Sequence, residues 1–150
     1  MTSNIRKPAP GNSGPDSFRE DTQRRWRGWI GVDLDGTLAE SVKSQAGEDI
    51  GIPVHRMVKQ VKKWLARGED VRIFTARVNP YPHRSEALRA RTAIEAWSER
   101  HLGQVLPITY EKDWDMVLLF DDSARQIKRD TGKLVGNLSK KDRKLHRQCV

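Results

Sequence analysis

Two aspartates at the end of a short apolar run are the first residues whose types and spacing could do chemistry. The run, WIGVDLDGTL, covers residues 29–38, and its carboxylates are Asp33 and Asp35. If the strand ends near Asp33, the turn at Gly36 can aim one carboxylate at a substrate while the other approaches from the side. A nucleophile and its acid/base partner need that arrangement. Two solvated aspartates that cap a strand are the alternative interpretation of this stretch alone.

Further polar side chains follow the other predicted strands. Thr75 ends the run DVRIFT, and Asp121 and Asp122 follow the run MVLLF. Lys112 lies in the loop before MVLLF, and a short loop can return it to the same edge of the sheet. Because ligands bind α/β sheets outside the carboxyl ends of the strands, we expect these groups to share one crevice. Four carboxylates in one crevice repel one another unless Lys112 and a hard divalent ion supply positive charge.

The donors of this predicted site are all oxygens. Such a set suits Mg²⁺, which binds through one or two carboxylates and a substrate phosphate and keeps several waters. The four histidines have no ligand spacing, and the single cysteine, Cys149, excludes a zinc site built on cysteines. Phosphoryl transfer needs a nucleophile, charge compensation and a proton for the leaving oxygen. The predicted crevice has a candidate for each role.

The elements that position these groups alternate along the chain. Apolar residues at three- and four-residue steps predict helices, and β-branched or aromatic runs predict strands. The predicted strands are 29–33, 70–75, 105–110 and 116–120, with a last edge strand at 134–135, and the predicted helices are 54–67, 85–101 and 123–130. The continuous apolar run 116–120 is typical of a strand buried on both faces. This alternation predicts an α/β domain, a three-layer Rossmann-like parallel sheet with helices on both faces.

The net charge of +8 belongs to the ends of the chain. Residues 1–28 carry six Lys/Arg against three Asp/Glu, and residues 136–150 carry five against one, so the middle is nearly neutral. We predict a disordered basic N-terminal segment over 1–28, one catalytic domain over 29–138 and a basic tail over 139–150. Basic tails can bind a polyanion, but they are also typical of solvated chain ends. Without an apolar run of membrane length, a cytoplasmic protein with no membrane partner is expected.

These residues resemble the four motifs of the haloacid dehalogenase (HAD) superfamily of phosphohydrolases. The first motif, DxDGT, matches residues 33–37, and the second, a strand ending in Thr or Ser, matches Thr75. The third, a lysine before the last core strand, matches Lys112, and the fourth, an acidic pair after that strand, matches Asp121 and Asp122. The resemblance spans about residues 29–135. It implies an HAD-like fold, and the short segments after the first two motifs imply a minimal cap or none.

The resemblance also implies a magnesium-dependent phosphatase with a two-step mechanism. Asp33 would attack phosphorus to form an aspartyl-phosphate, and Asp35 would protonate the leaving oxygen and then activate water. Mg²⁺ would be held by the Asp33 carboxylate, the Asp35 main-chain carbonyl and the acidic pair, with Asp122 favoured for the inner contact. Thr75 and Lys112 would hold the transferring phosphoryl group.

The segment after Thr75 is similar to the 3′-phosphatase domain of phage-type polynucleotide kinase/phosphatases. The TAR sequence, the long helix after it and the acidic pair carry this likeness. It implies that Arg77 contacts the substrate, a nucleotide or a nucleic-acid 3′ end. The alternatives are a small-metabolite phosphatase and a catalytically silent module of the same fold that binds nucleic acid. A receiver-type phosphoacceptor uses similar residue types, but in the reverse chain order.

Overall fold

The computed structural model describes residues 28–43 and 48–137, and its central sheet has four parallel strands. Its elements are β1 (Trp29–Asp33), α1 (His55–Ala66), β2 (Asp70–Phe74), a 3₁₀ turn (Ala76–Val78), α2 (Arg84–Leu102), β3 (Ile108–Thr109) and β4 (Met116–Phe120). The strands lie in the order β3-β2-β1-β4. The predicted parallel α/β arrangement is confirmed. The predicted end segments and Cys149 lie outside the described residues, apart from Gly28.

Both helices pack on the same face of this sheet. Alternate residues of β1 and β2 face one side, where they meet buried residues of both helices. The shared cluster includes Ile30, Val32, Val58, Val61, Val71, Ile73, Ile94 and Trp97. Two successive right-handed crossovers in one direction place their helices together, and α1 and α2 contact each other as this rule requires.

The two helices end at the glycines that the sequence indicates. Gly68 follows α1 with a φ of 77°, and Gly103 follows α2 with a φ of 85°. These left-handed conformations are open to glycine without steric cost and stop the helical hydrogen-bond pattern. The chain can therefore turn back at once toward β2 and β3. Neither helix of the described part is long and apolar enough to cross a membrane.

The opposite face of the sheet carries no helix in residues 28–43 and 48–137, so the predicted second helical layer is wrong there. Residues 123–130 are irregular, and Leu134 makes only an isolated bridge with Ile127. Because Ile127 is the one large apolar residue in SARQIKRD, a helix there would have no apolar face to bury. Trp29 is buried on this face beneath Arg72, whose guanidinium lies 4.7 Å from the ring centroid.

β4 is an edge strand, and the prediction that it is buried on both faces is wrong. Among the described strands, it hydrogen-bonds to β1 alone. Val117, Leu118 and Leu119 are 36%, 42% and 36% exposed. Phe120, by contrast, packs on Trp64 of α1 with ring centroids 4.8 Å apart. The end of β4 that leads into the acidic pair is therefore the part anchored to the helical layer.

Candidate active site

The turn after β1 sets the positions of the two aspartates of the first motif. Asp33 is the last residue of the strand, and its carbonyl accepts a hydrogen bond from Leu38 N at 3.1 Å. Gly36, inside this turn, has a φ of 93°, and a Cβ there would lie 2.9 Å from Asp122 Oδ2. The positive φ is a conformation that glycine adopts without steric cost, and the absence of a Cβ leaves room for the Asp122 carboxylate. Asp35 lies in this turn, beyond the end of the strand.

Three carboxylates meet at the carboxyl ends of β1 and β4. Asp33 ends β1, and Asp121 and Asp122 follow β4, which is its direct neighbour in the sheet. One carboxylate oxygen from each residue lies within 4.8 Å of the other two. The buried Thr37 joins the two loops, because its hydroxyl accepts a hydrogen bond from Asp122 N at 3.1 Å. Because β1 and β4 are neighbours in the sheet, the first and fourth motifs, which are far apart in the sequence, form one cluster.

This cluster carries an excess of negative charge. Burial is the largest cause that raises the pKa of the Asp33 carboxyl from 3.8 to about 7, and the charge of Asp121 is the second. The hydrogen bond with Thr37 opposes the rise, and the charge of Asp122 adds to it. A divalent cation among the three carboxylates would remove the mutual repulsion. Carboxylate oxygens suit hard divalent cations such as Mg²⁺, Ca²⁺ and Mn²⁺, so the donor set is compatible with this class of ion and does not select one member of it.

Asp35 forms a bidentate ion pair with Arg77. Arg77 Nε donates to Asp35 Oδ2 at 2.7 Å, and Arg77 Nη2 donates to Oδ1 at 2.7 Å. The side chains are 4% and 12% exposed, respectively. A third donor, Nη1, reaches the main-chain carbonyl of Asp49 at 2.8 Å. Arg77 therefore fixes the second aspartate of the motif and ties it to the loop that follows.

The Thr75 hydroxyl caps the short turn that contains Arg77. Thr75 lies directly after β2, is 3% exposed, and caps this 3₁₀ turn by accepting a hydrogen bond from Arg77 N at 3.3 Å. Because the hydroxyl oxygen acts as acceptor there, its proton can be donated to a ligand in the crevice. The end of β2 thus contributes one hydroxyl and one guanidinium to the same edge of the sheet.

Six of the seven predicted site residues line one cavity of about 350 Å³. Its lining consists of Asp33, Asp35, Thr75, Ala76, Arg77, Asp121, Asp122 and Ser123. Lys112 does not line it. The residue is exposed, and the next residue, Asp113, accepts a hydrogen bond from the Trp29 indole at 2.7 Å, at the amino end of β1. The connection before β4 has therefore already turned away from the carboxyl ends of the strands, where the cavity lies, toward their amino ends.

Two site features were missed from the sequence. Ser123 lines the cavity, and its place directly after the acidic pair is a signal that could have identified it. The Asp49 carbonyl has no such signal, because a main-chain acceptor leaves no trace in residue type. No protein-family model, curated protein or solved structure matches this chain.

Proposed function

We propose that this chain is a magnesium-dependent phosphatase that hydrolyses a phosphate monoester through an aspartyl-phosphate on Asp33. The observation that carries the proposal is the convergence of three carboxylates on one cavity that also holds a hydroxyl and an aspartate–arginine pair. The resemblance of the sequence to HAD phosphohydrolases supports the same activity. A cluster of solvated strand-end aspartates would have no need for the buried pair beside it.

Asp33 is the nucleophile of the proposed reaction. It is only half-buried, so one carboxylate oxygen can reach a phosphorus atom placed in the cavity. Its attack forms the Asp33–phosphorus bond and breaks the bond between phosphorus and the leaving oxygen. Asp33, Asp121 and Asp122 would hold Mg²⁺, which neutralises charge on the carboxylates and on the phosphoryl oxygens when bound. The buried Thr75 hydroxyl donates to a phosphoryl oxygen.

Asp35 is the general acid of the first step and the general base of the second. Both of its oxygens accept hydrogen bonds from Arg77, which fixes its position at the cavity. In the first step Asp35 gives a proton to the leaving oxygen, a proton that solvent supplies in the first turnover and attacking water supplies in each later one. In the second step Asp35 takes a proton from that water, which breaks the bond between Asp33 and phosphorus and releases inorganic phosphate. Lys112 does not line the cavity, and its contact with the phosphoryl group stays a prediction from the sequence.

Phosphate release tests the proposal. The substrates are an aryl phosphate, a nucleoside monophosphate and a 3′-phosphorylated oligonucleotide, each assayed with Mg²⁺ and with a chelator. We expect magnesium-dependent release that falls at least about 1,000-fold in Asp33→Asn, because the amide cannot form the covalent intermediate. Lys62→Ala, at an exposed position of α1 that lines neither cavity, serves as the matched control. Release that Asp33→Asn leaves near the wild-type rate would contradict the nucleophile assignment.

A further inference from the structure

A second cavity adjoins the proposed catalytic one. It has a volume of about 420 Å³ and shares Asp121 and Asp122 with the catalytic cavity. Its other walls come from the turn after β1 and from the first turns of α1. We call it the side cavity. Because the acidic pair lines both cavities, a ligand in the side cavity lies next to the carboxylates that the proposed function places around the phosphate.

The walls of the side cavity are mainly apolar, with a few polar groups among them. Val54, Met57 and Phe120 supply the apolar surface, and Arg56 and Gln60 supply polar side chains. Phe120 is fixed by its packing on α1, whereas methionine is a flexible side chain that adapts to an occupant. Cavities of a few hundred Å³ with apolar walls and a few polar groups are typical of sites for small organic ligands.

The apolar walls of the side cavity, rather than its charges, favour a neutral occupant. Its lining contains two carboxylates and one guanidinium, and the two carboxylates are the ones that the proposed function assigns to a cation. A neutral ring can stack on Phe120 and fill the apolar space. Gln60 offers both a donor and an acceptor, and Arg56 lies four residues before it, on the same side of α1. These groups suit a neutral ring whose edge carries hydrogen-bonding atoms.

We infer that the side cavity binds the nucleobase of a nucleotide-type substrate whose phosphate is cleaved at Asp33. This inference rests on the proposed function and names its substrate class. The ring lies against Phe120, and the amide of Gln60 pairs with the polar edge of the base. Phosphate esters with small aliphatic leaving groups use the catalytic cavity alone and gain nothing from the side cavity.

Gln60→Ala is the discriminating variant, because alanine preserves helix propensity in α1. We expect KM for a nucleoside monophosphate to rise about 10-fold, and KM for glycerol phosphate to change less than about twofold, since only the base contacts Gln60. Gln104→Ala, in the exposed turn after α2, is the matched control and should leave both substrates unaffected. Equal changes on the two substrates, or no change on the nucleotide, would overturn the inference.

Calorimetry with a nucleoside that carries no phosphate separates this inference from the proposed activity. We expect wild type and Asp33→Asn to bind the nucleoside alike, and Gln60→Ala to bind about 10-fold more weakly. Nucleoside binding that depends on Gln60, in a protein that hydrolyses no phosphate ester, would support the side cavity and refute the phosphatase. Phosphate hydrolysis without measurable nucleoside binding would support the phosphatase and refute the side cavity.

Discussion

Removing one partner of the pair between Arg77 and Asp35 should destabilise the fold far more than removing one partner of an exposed ion pair does. The side chains of Arg77 and Asp35 are 4% and 12% exposed, with both contacts at 2.7 Å. Removing one partner of such a pair leaves a buried charge uncompensated, at a cost of about 3 kcal/mol or more. The chain offers a matched control in Arg89 and Glu48, which are 54% and 62% exposed at 3.4 Å. That pair should contribute about 0.5 kcal/mol or less.

Urea unfolding of two double-mutant cycles measures both pairs. The first cycle combines Arg77→Met with Asp35→Asn, and the second combines Arg89→Met with Glu48→Gln. We expect a coupling energy of at least about 2 kcal/mol in the first cycle and below about 0.5 kcal/mol in the second. The loss of the Asp49 contact cancels in the first cycle, because both variants with methionine lack it. Equal coupling in the two cycles would refute the view that burial makes this pair special.

Three further predictions concern the same crevice. Because the pKa of Asp33 is raised from 3.8 to about 7 in the folded chain, metal-free protein should lose stability as pH rises from about 4 to about 7, as it loses the extra proton of the folded state. Above that pH range, Asp33→Asn should be more stable than wild type by about 1–2 kcal/mol, a figure reduced to allow for the half-exposure of Asp33. Urea unfolding of both proteins with chelator at about pH 5 and pH 8 measures this difference. A difference in unfolding free energy that is the same at the two pH values would contradict the prediction. Saturating Mg²⁺ should raise the thermal midpoint of wild type but not of Asp121→Asn/Asp122→Asn, and equal shifts would place the ion elsewhere. Gly36→Ala should destabilise the fold by about 1–3 kcal/mol in thermal unfolding, because φ of 93° and the contact with Asp122 both oppose a Cβ; a change under about 0.5 kcal/mol would contradict that.

The regular elements could be predicted because their signals are local. The first and second strands and both helices agree with the sequence to within a residue, since periodic apolar positions and the glycines at 68 and 103 delimit them. The third strand is shorter than predicted, as it begins just after Pro107 at the edge of the sheet. Local hydropathy identified the fourth strand, but it carries no information about how many neighbours a strand has. Exposure of Val117 to Leu119 was therefore not predictable from the run itself.

The site was predictable to the extent that strand ends determine it. Asp33, Thr75 and the acidic pair follow three parallel strands, so one edge of the sheet brings them together. Lys112 depends instead on the course of a short irregular connection, which the sequence does not determine. The pairing of Asp35 with Arg77 joins residues 42 positions apart and depends on two tight turns. Such geometry follows from tertiary packing and has no signature in spacing or residue type.

A covalent aspartyl-phosphate on Asp33 would distinguish nucleophilic attack by Asp33 from direct attack of water on phosphorus. Asp35→Asn, which lacks the proposed base, should accumulate the intermediate when mixed with Mg²⁺ and an aryl phosphate, because an aryloxide leaves without the proton that Asp35 otherwise gives. Circular dichroism establishes beforehand that this variant is folded under the assay conditions. Acid quenching followed by peptide mass spectrometry should then show one added phosphoryl group on the peptide containing Asp33, lost on treatment with hydroxylamine. Asp33→Asn should show none. Turnover by wild type without any such adduct, or an adduct on another residue, would contradict the account.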